Sequence, residues 1–196
     1  MLGDFHACSE AIGPGKRAGI WVRGCSIGCA GCATPQFIPA GKVTHETEIV
    51  DIVERIERAQ AEHDIEGVTF SGGEPFEQSG ALALVAQASR RLGLSVMSWS
   101  GYTIGDIRRD HARRALLDQV DVLIDGPFVI GKGSHDPYRG SSNQVVHFLT
   151  NRYGPKDFRI AKAELVIDEN GITGTGVFGA QAARTILTLL GVRTRA

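Results

Sequence analysis

Three of the four cysteines in the chain fall in one short stretch, RGCSIGCAGCATPQ (residues 23–36), at Cys25, Cys29 and Cys32. The spacing is C-x3-C-x2-C, and thiolates so close together are soft metal ligands. Positions i, i+4 and i+7 also share one face of a helix. Here, however, Gly24, Gly28 and Gly31 are interleaved with the cysteines and Pro35 follows. Each glycine costs roughly 1 kcal/mol in a helix interior relative to alanine. The stretch therefore reads as a loop whose backbone folds tightly round a bulky object. A closed zinc site wants four ligands, and Cys8 or His6 would have to supply the fourth. An iron–sulfur cube held by three thiolates instead leaves one iron open to a small molecule that offers an amine and a carboxylate.

The elements that would position this loop follow from hydrophobic pattern and turn chemistry. Residues 18–24 (AGIWVRG) read as a short buried strand running into the cysteines. Residues 44–63 carry Ile49, Ile52, Val53 and Ile56 at helical spacing, with Thr44 or Thr47 as caps. GVTFSGGEP (67–75) is a strand breaking into a glycine turn. A helix over 78–93 ends at Gly93. LSVMSWSG (94–101) is a strand, 103–120 a helix, and DVLIDGPF (121–128) a strand. Further strands are expected at 144–150, 163–168 and 172–178, the last two joined by a hairpin turn at 169–171. A helix over 180–191 follows.

Strands alternating with helices predict a parallel sheet of βα units. About four units precede residue 130, too few for a closed eight-stranded barrel, which needs ~200 residues or more. The expected fold is α/β: an open, partial (β/α) barrel in one domain spanning residues 1–196, with a cluster loop at 24–33 and a C-terminal hairpin and helix at 163–191. Ligands of such sheets bind at the carboxyl ends of the strands. The cysteine loop, SGGEP, SWSG and IDGP should therefore gather on one rim, with Lys16 and Arg17 as further candidates for it.

Composition narrows the classes. The chain has 196 residues, 42% hydrophobic content and a net charge of −1, without the basic excess of a nucleic-acid-binding surface. Glycine is abundant, with 25 residues against a usual share of ~7%. No apolar run reaches the ~18 residues of a membrane span, and the first residues lack a signal-peptide apolar region. A cytoplasmic, reducing location is expected, where clustered cysteines read as metal or redox groups rather than disulfides. The six histidines form no spaced ligand pair, and Cys8 reads as a plain thiol. Arg108, Arg109, Arg113 and Arg114 read as a solvated helix face able to dock an acidic partner. GKGSHDPYRGSSNQ (131–144) lacks the G-x4-G-K-[ST] pattern of a phosphate loop and reads as a mobile segment ordering over a ligand or partner.

The C-x3-C-x2-C spacing resembles the signature of the radical SAM superfamily, and SGGEP resembles its GGE motif. GPGKRAGIWVRGCSIGCAGC, DGPF (125–128) and RGSSNQ (139–144) are similar to the glycyl-radical-enzyme activases, specifically the family that activates anaerobic ribonucleoside-triphosphate reductase. The resemblance runs over roughly residues 5 to 180. It implies that Cys25, Cys29 and Cys32 hold a [4Fe–4S] cluster whose open iron chelates S-adenosylmethionine (SAM). Gly72 and Gly73 would let the backbone approach SAM, and the Glu74 carboxylate would accept a charge-assisted hydrogen bond from its ammonium. Gly31 and Ala33 would touch SAM by backbone. Asp125 would hold the ribose hydroxyls, or serve as a turn residue in DGP.

Reduction of the cluster by flavodoxin or ferredoxin would cleave SAM to methionine and a 5′-deoxyadenosyl radical. That radical would take a hydrogen atom from a glycine of the partner, an anaerobic ribonucleotide reductase. Two departures from the family pattern stand out: Gly28 where many members carry His, and Ala33-Thr34-Pro35 in place of an aromatic residue and Asn. The alternatives are a radical SAM enzyme acting on a small molecule or peptide, and a non-enzymatic zinc module.

Overall fold

The computed structural model describes residues 1–39, 46–134, 136, 138–158, 163–168 and 171–176. A six-stranded sheet forms the frame of a mixed α/β architecture. Its strands are β1 (Leu2–Ser9), β2 (Arg17–Val22), β3 (Gly67–Gly72), β4 (Ser95–Trp99), β5 (Val122–Asp125) and β6 (Val145–Phe148), in that spatial order. Strands β2 to β5 are parallel, whereas β1 and β6 pair antiparallel at the two edges. The sheet does not close on itself. The expected helix at 44–63 is α1 (Ile49–His63), which starts from Glu48 with no side-chain cap. Thr47 therefore does not cap it, and Thr44 lies outside the described residues. Helix α2 (Ser79–Arg91) joins β3 to β4.

The expected helix at 103–120 is two helices, α3 (Ile104–Arg109) and α4 (His111–Leu117). Asp110 divides them. Its extended backbone ends α3, and its carboxylate accepts the N–H groups of Ala112 and Arg113 at the start of α4. A side-chain acceptor at an N-cap is worth about 1 kcal/mol, enough to fix the break there. Strand β1 was not foreseen. Register shifts between Leu2 and Asp4 and between His6 and Ser9 interrupt its alternation, and such interruptions hide the period-2 signal. The C-terminal pair β7 (Ala163–Asp168) and β8 (Gly171–Gly176) forms an antiparallel hairpin as expected. The expected helix at 180–191 lies outside the described residues.

The core sits between the sheet and the helices. Ile20, Phe70, Val96 and Leu123 point from β2 to β5 towards Ile56, Val85 and Leu116 of α1, α2 and α4, all fully buried. Each such side chain contributes roughly 1.5–3 kcal/mol. On the opposite face, Met97, Val122 and Ile124 are covered by Tyr138 and Phe158.

That second face also buries a charge. Arg17, at the amino end of β2, is 0% exposed. Its guanidinium donates to Thr69 Oγ1 (2.7 Å), Ser95 Oγ (2.9 Å), and the carbonyls of Val68 (2.7 Å) and Pro14 (3.1 Å). All are neutral acceptors, so the charge is spread over hydroxyls and peptides, and burial pulls its pKa below the usual arginine value. It laces β2, β3 and β4 together at the end of the sheet away from the cysteines. Arg17→Ala should leave these acceptors bare around a cavity and cost about 3 kcal/mol or more of unfolding free energy, read as a lower midpoint in urea denaturation.

Candidate functional site

The cysteine loop leaves β2 at Val22 and returns to a 3-10 turn at Pro35–Phe37. Its two ends bind each other: Gly24 N–H donates to Phe37 O (2.8 Å) and Cys25 N–H to Ile38 O (3.1 Å). Gly24, Gly28 and Gly31 have φ of 102°, 68° and 71°, left-handed values that glycine alone holds cheaply. Cys25, Cys29 and Cys32 are half-buried free thiols. Backbone N–H groups face two of the sulfurs: those of Ile27 and Gly28 at Cys25, and that of Thr34 at Cys32 (3.5 Å). Burial, with Glu74 and Glu77 nearby, nonetheless pushes the Cys25 thiol up. Its proton would therefore leave as metal binds.

N–H groups aimed at sulfur stabilise and tune iron–sulfur thiolates, so this donor set fits a cluster. Among the described residues no three His, Cys, Asp or Glu side chains converge on a single ion. Nor do the fourth ligands considered for zinc lie nearby. Ser9 of β1 pairs with Arg17, and His6 pairs with Gly19 in mid-strand. Cys8 is therefore at the far end of β2 from Cys25.

SGGEP sits directly against this loop. Gly73 N–H donates to Val22 O (2.7 Å) and Glu74 N–H to Gly24 O (2.8 Å). A Cβ at Gly72 would collide with the Val22 backbone, and one at Gly73 with the Gly24 carbonyl. The pair of glycines thus admits the cysteine loop itself, a reason the sequence alone did not supply. Thr34 Oγ1 donates to Gly72 O (2.8 Å) from the other side.

Glu74 departs from expectation. Its carboxylate turns inward and is 1% exposed. Oε1 accepts from Phe76 N–H (2.9 Å) and Ser100 Oγ (2.9 Å), and Oε2 from Gly101 N–H (2.7 Å). It is occupied in tying the GGE turn to SWSG rather than facing a ligand ammonium. Burial raises its pKa to about 7 against the pull of those three donors.

The remaining rim segments gather as expected. Ile27 of the cysteine loop lies against Gly101, and Ile130 lies over Gly31. Asp125, 4% exposed, is also engaged inward. Oδ2 accepts from Ile104 N–H at the start of α3 (2.5 Å), and Oδ1 lies 3.0 Å from Nε2 of His147. It holds a helix terminus, so the structure favours its turn-and-frame role over ribose binding. DGPF and RGSSNQ bind each other: Gln144 Nε2 donates to Gly126 O (3.0 Å) and Asn143 Nδ2 to Pro127 O (2.8 Å). Gln144 Oε1 also accepts from Gly140 and Ser141. Residues 140–144 are thereby tied to DGPF, and Tyr138 reaches Gly13 O beneath the sheet (3.2 Å). Lys16 and Arg17 lie at the opposite end of β2, off the rim.

A family model described as a 4Fe-4S single cluster domain matches residues 11–147, a span that includes the cysteine loop, the GGE turn and both loop motifs. A Vibrio cholerae protein named anaerobic ribonucleoside-triphosphate reductase-activating protein is 34% identical over 162 residues, covering 75% of this chain and 97% of the relative.

The chain belongs to the anaerobic ribonucleoside-triphosphate reductase-activating protein family.

Relatives of the same name from Escherichia coli (strain K12) and Enterobacteria phage T4 are 32% and 27% identical, covering 74% and 71% of this chain and 97% and 88% of their own length. Membership makes an iron–sulfur cluster the cofactor and sets the zinc module aside. It also casts the departure at Ala33-Thr34-Pro35 in structural terms. Thr34 bonds Gly72 and faces Cys32, fastening the exit of the cysteine loop. Sequence reasoning noted Thr34 only as part of a departure from the family pattern and passed over Glu77 and Tyr102. A hydroxyl two residues after a cysteine was the one available signal.

A carboxyl whose folded pKa exceeds its unfolded value binds more protons when folded, so its contribution to stability is full at low pH and is lost as pH rises. For Glu74 the window runs from 4.5 to about 7. Unfolding free energy should fall across it by up to ~3 kcal/mol from this group alone. Glu74→Gln should flatten that slope in denaturation curves taken from pH 4.5 to 7.5.

Proposed function

We propose that this chain is a radical SAM activase with an open, partial (β/α) barrel in one domain, acting in the cytoplasm to install a glycyl radical on anaerobic ribonucleotide reductase. The observation that carries the reading is the direct hydrogen bonding of the GGE turn to the base of a three-cysteine loop in a member of this family. Cys25, Cys29 and Cys32 are the proposed cluster ligands, leaving one coordination position for SAM. A cluster held there would supply reductive cleavage of the SAM sulfonium, with flavodoxin or ferredoxin as the proposed electron source and a glycine of the partner as the proposed hydrogen donor.

The chain's own residues prepare this site. Gly72 and Gly73 hold the cysteine loop close to the GGE turn. Among the described residues no donor reaches the Gly73 carbonyl, which makes it the acceptor available to the methionine ammonium. Glu74 keeps the turn rigid from within. The exposed backbone of Gly31 and Ala33 offers further contacts on the loop. Asp125 is left out of the ligand set, since its carboxylate serves α3 and His147. The exposed residues of the cysteine loop, Ser26, Gly28, Ala30, Gly31 and Ala33, suit the approach of a protein segment.

Two experiments test the reading. After anoxic reconstitution, Cys25→Ala, Cys29→Ala and Cys32→Ala should each lose the cluster by iron and sulfide analysis, whereas Cys8→Ala keeps it. Iron as low in Cys8→Ala would make Cys8 a ligand. Mixing the reduced protein with SAM and its reductase without oxygen should give the electron paramagnetic resonance doublet of a glycyl radical, with release of methionine and 5′-deoxyadenosine. SAM cleavage without any radical on the reductase would move the reading to small-molecule or peptide chemistry.

A further inference from the structure

The 3-10 turn Pro75–Gln78 and its N-cap residue Glu74 together carry two carboxylates. The first, Glu74, is buried and holds Ser100 and Gly101. The second, Glu77, faces outward and reaches the cysteine loop. Its Oε1 accepts the backbone N–H of Ser26 (3.0 Å) and also the Ser26 hydroxyl. The same oxygen accepts the hydroxyl of Tyr102 (3.1 Å). Tyr102 is in turn covered by the Arg113 guanidinium, 3.7 Å from the ring centroid, and Arg113 Nε lies 3.8 Å from Asp110 Oδ2 at the start of α4. A continuous chain of contacts thus runs from α4 to the residue that follows Cys25.

We propose that Glu77 is a positioning residue for the cluster: it fixes Ser26, and through it Cys25, while placing one negative charge beside that thiolate. The inference rests on the three-cysteine ligation proposed above. Two effects follow, and they separate. Fixing Ser26 sets the backbone turn that aims the N–H groups of Ile27 and Gly28 at the Cys25 sulfur. Among the described residues, the other backbone bonds that hold that turn, Gly24 N–H to Phe37 O, Glu74 N–H to Gly24 O and Cys25 N–H to Ile38 O, all lie at its start, and Ile27 is held beyond it by packing on Gly101. The charge acts differently. Reduction adds an electron to the cluster, and a carboxylate nearby disfavours the added negative charge. Glu77 therefore keeps the potential low.

Glu77→Gln retains an acceptor for Ser26 N–H but removes the charge. It should assemble a full cluster whose reduction potential is more positive than that of the unsubstituted protein. Glu77→Ala removes both, and should release iron to a chelator about tenfold faster, as the loss of hydrogen bonds to a charged acceptor implies. Tyr102→Phe frees the carboxylate from one donor without removing it, and should release iron at a rate between the two. Protein film voltammetry and chelator kinetics give these readouts without reference to activity. Should Glu77→Ala not fold, Glu77→Gln and Tyr102→Phe carry the test. Unchanged potential in Glu77→Gln together with unchanged iron release in the other variants overturns the inference. Cys25→Ala run in parallel separates the two failures: a Cys25→Ala protein that keeps its cluster overturns the ligation reading itself.

Discussion

Two peptide hydrogen bonds, Gly73 to Val22 and Glu74 to Gly24, continue the β2–β3 pairing past the ends of both strands. Everything at the carboxyl rim depends on them. They force the cysteine loop to start flush against the next loop, and they demand residues without side chains at 72 and 73. Thr34 closes the same arrangement from the loop's exit. The outcome is a pair of loops that behave as one surface, so cluster ligands and cofactor contacts share a single frame.

Buried charge braces this frame at both ends. Arg17 spans three strands at the amino end, and Glu74 joins two loops at the carboxyl end, each through neutral partners only. Among the described residues neither forms an ion pair with an opposite charge. Desolvation therefore remains visible in both, lowering one pKa and raising the other. Hydroxyls and peptide groups fixed by the sheet are what make such charges tolerable. Removing either side chain would leave those fixed donors and acceptors bare where loops meet strands.

Much of this was legible in the sequence. Strands β2 to β5 are short apolar runs that end at glycine-rich turns, and parallel order follows from their alternation with helices. The cysteine loop announced itself through spacing and glycines. What stayed hidden depended on direction. A one-dimensional pattern places Glu74 and Asp125 on the rim but does not say that both carboxylates turn inward, towards backbone N–H groups. It likewise does not say that the glycines of GGE make room for another loop. Nor did the pattern show that Asp110 would serve as a cap between two helices. Strand β1 escaped because its register slips twice within eight residues.

The mutual binding of DGPF and RGSSNQ has an evolutionary side. Gln144 and Asn143 clasp Gly126 and Pro127, and Tyr138 between them packs on the sheet, so this segment is fastened at its base and again further along. Lengthening a loop beyond a sealed base costs little, since closure entropy grows only slowly with length. The stretch around Ile130, 66% exposed beside the cysteine loop, is the part where a change of side chain or length would leave the frame below it unchanged.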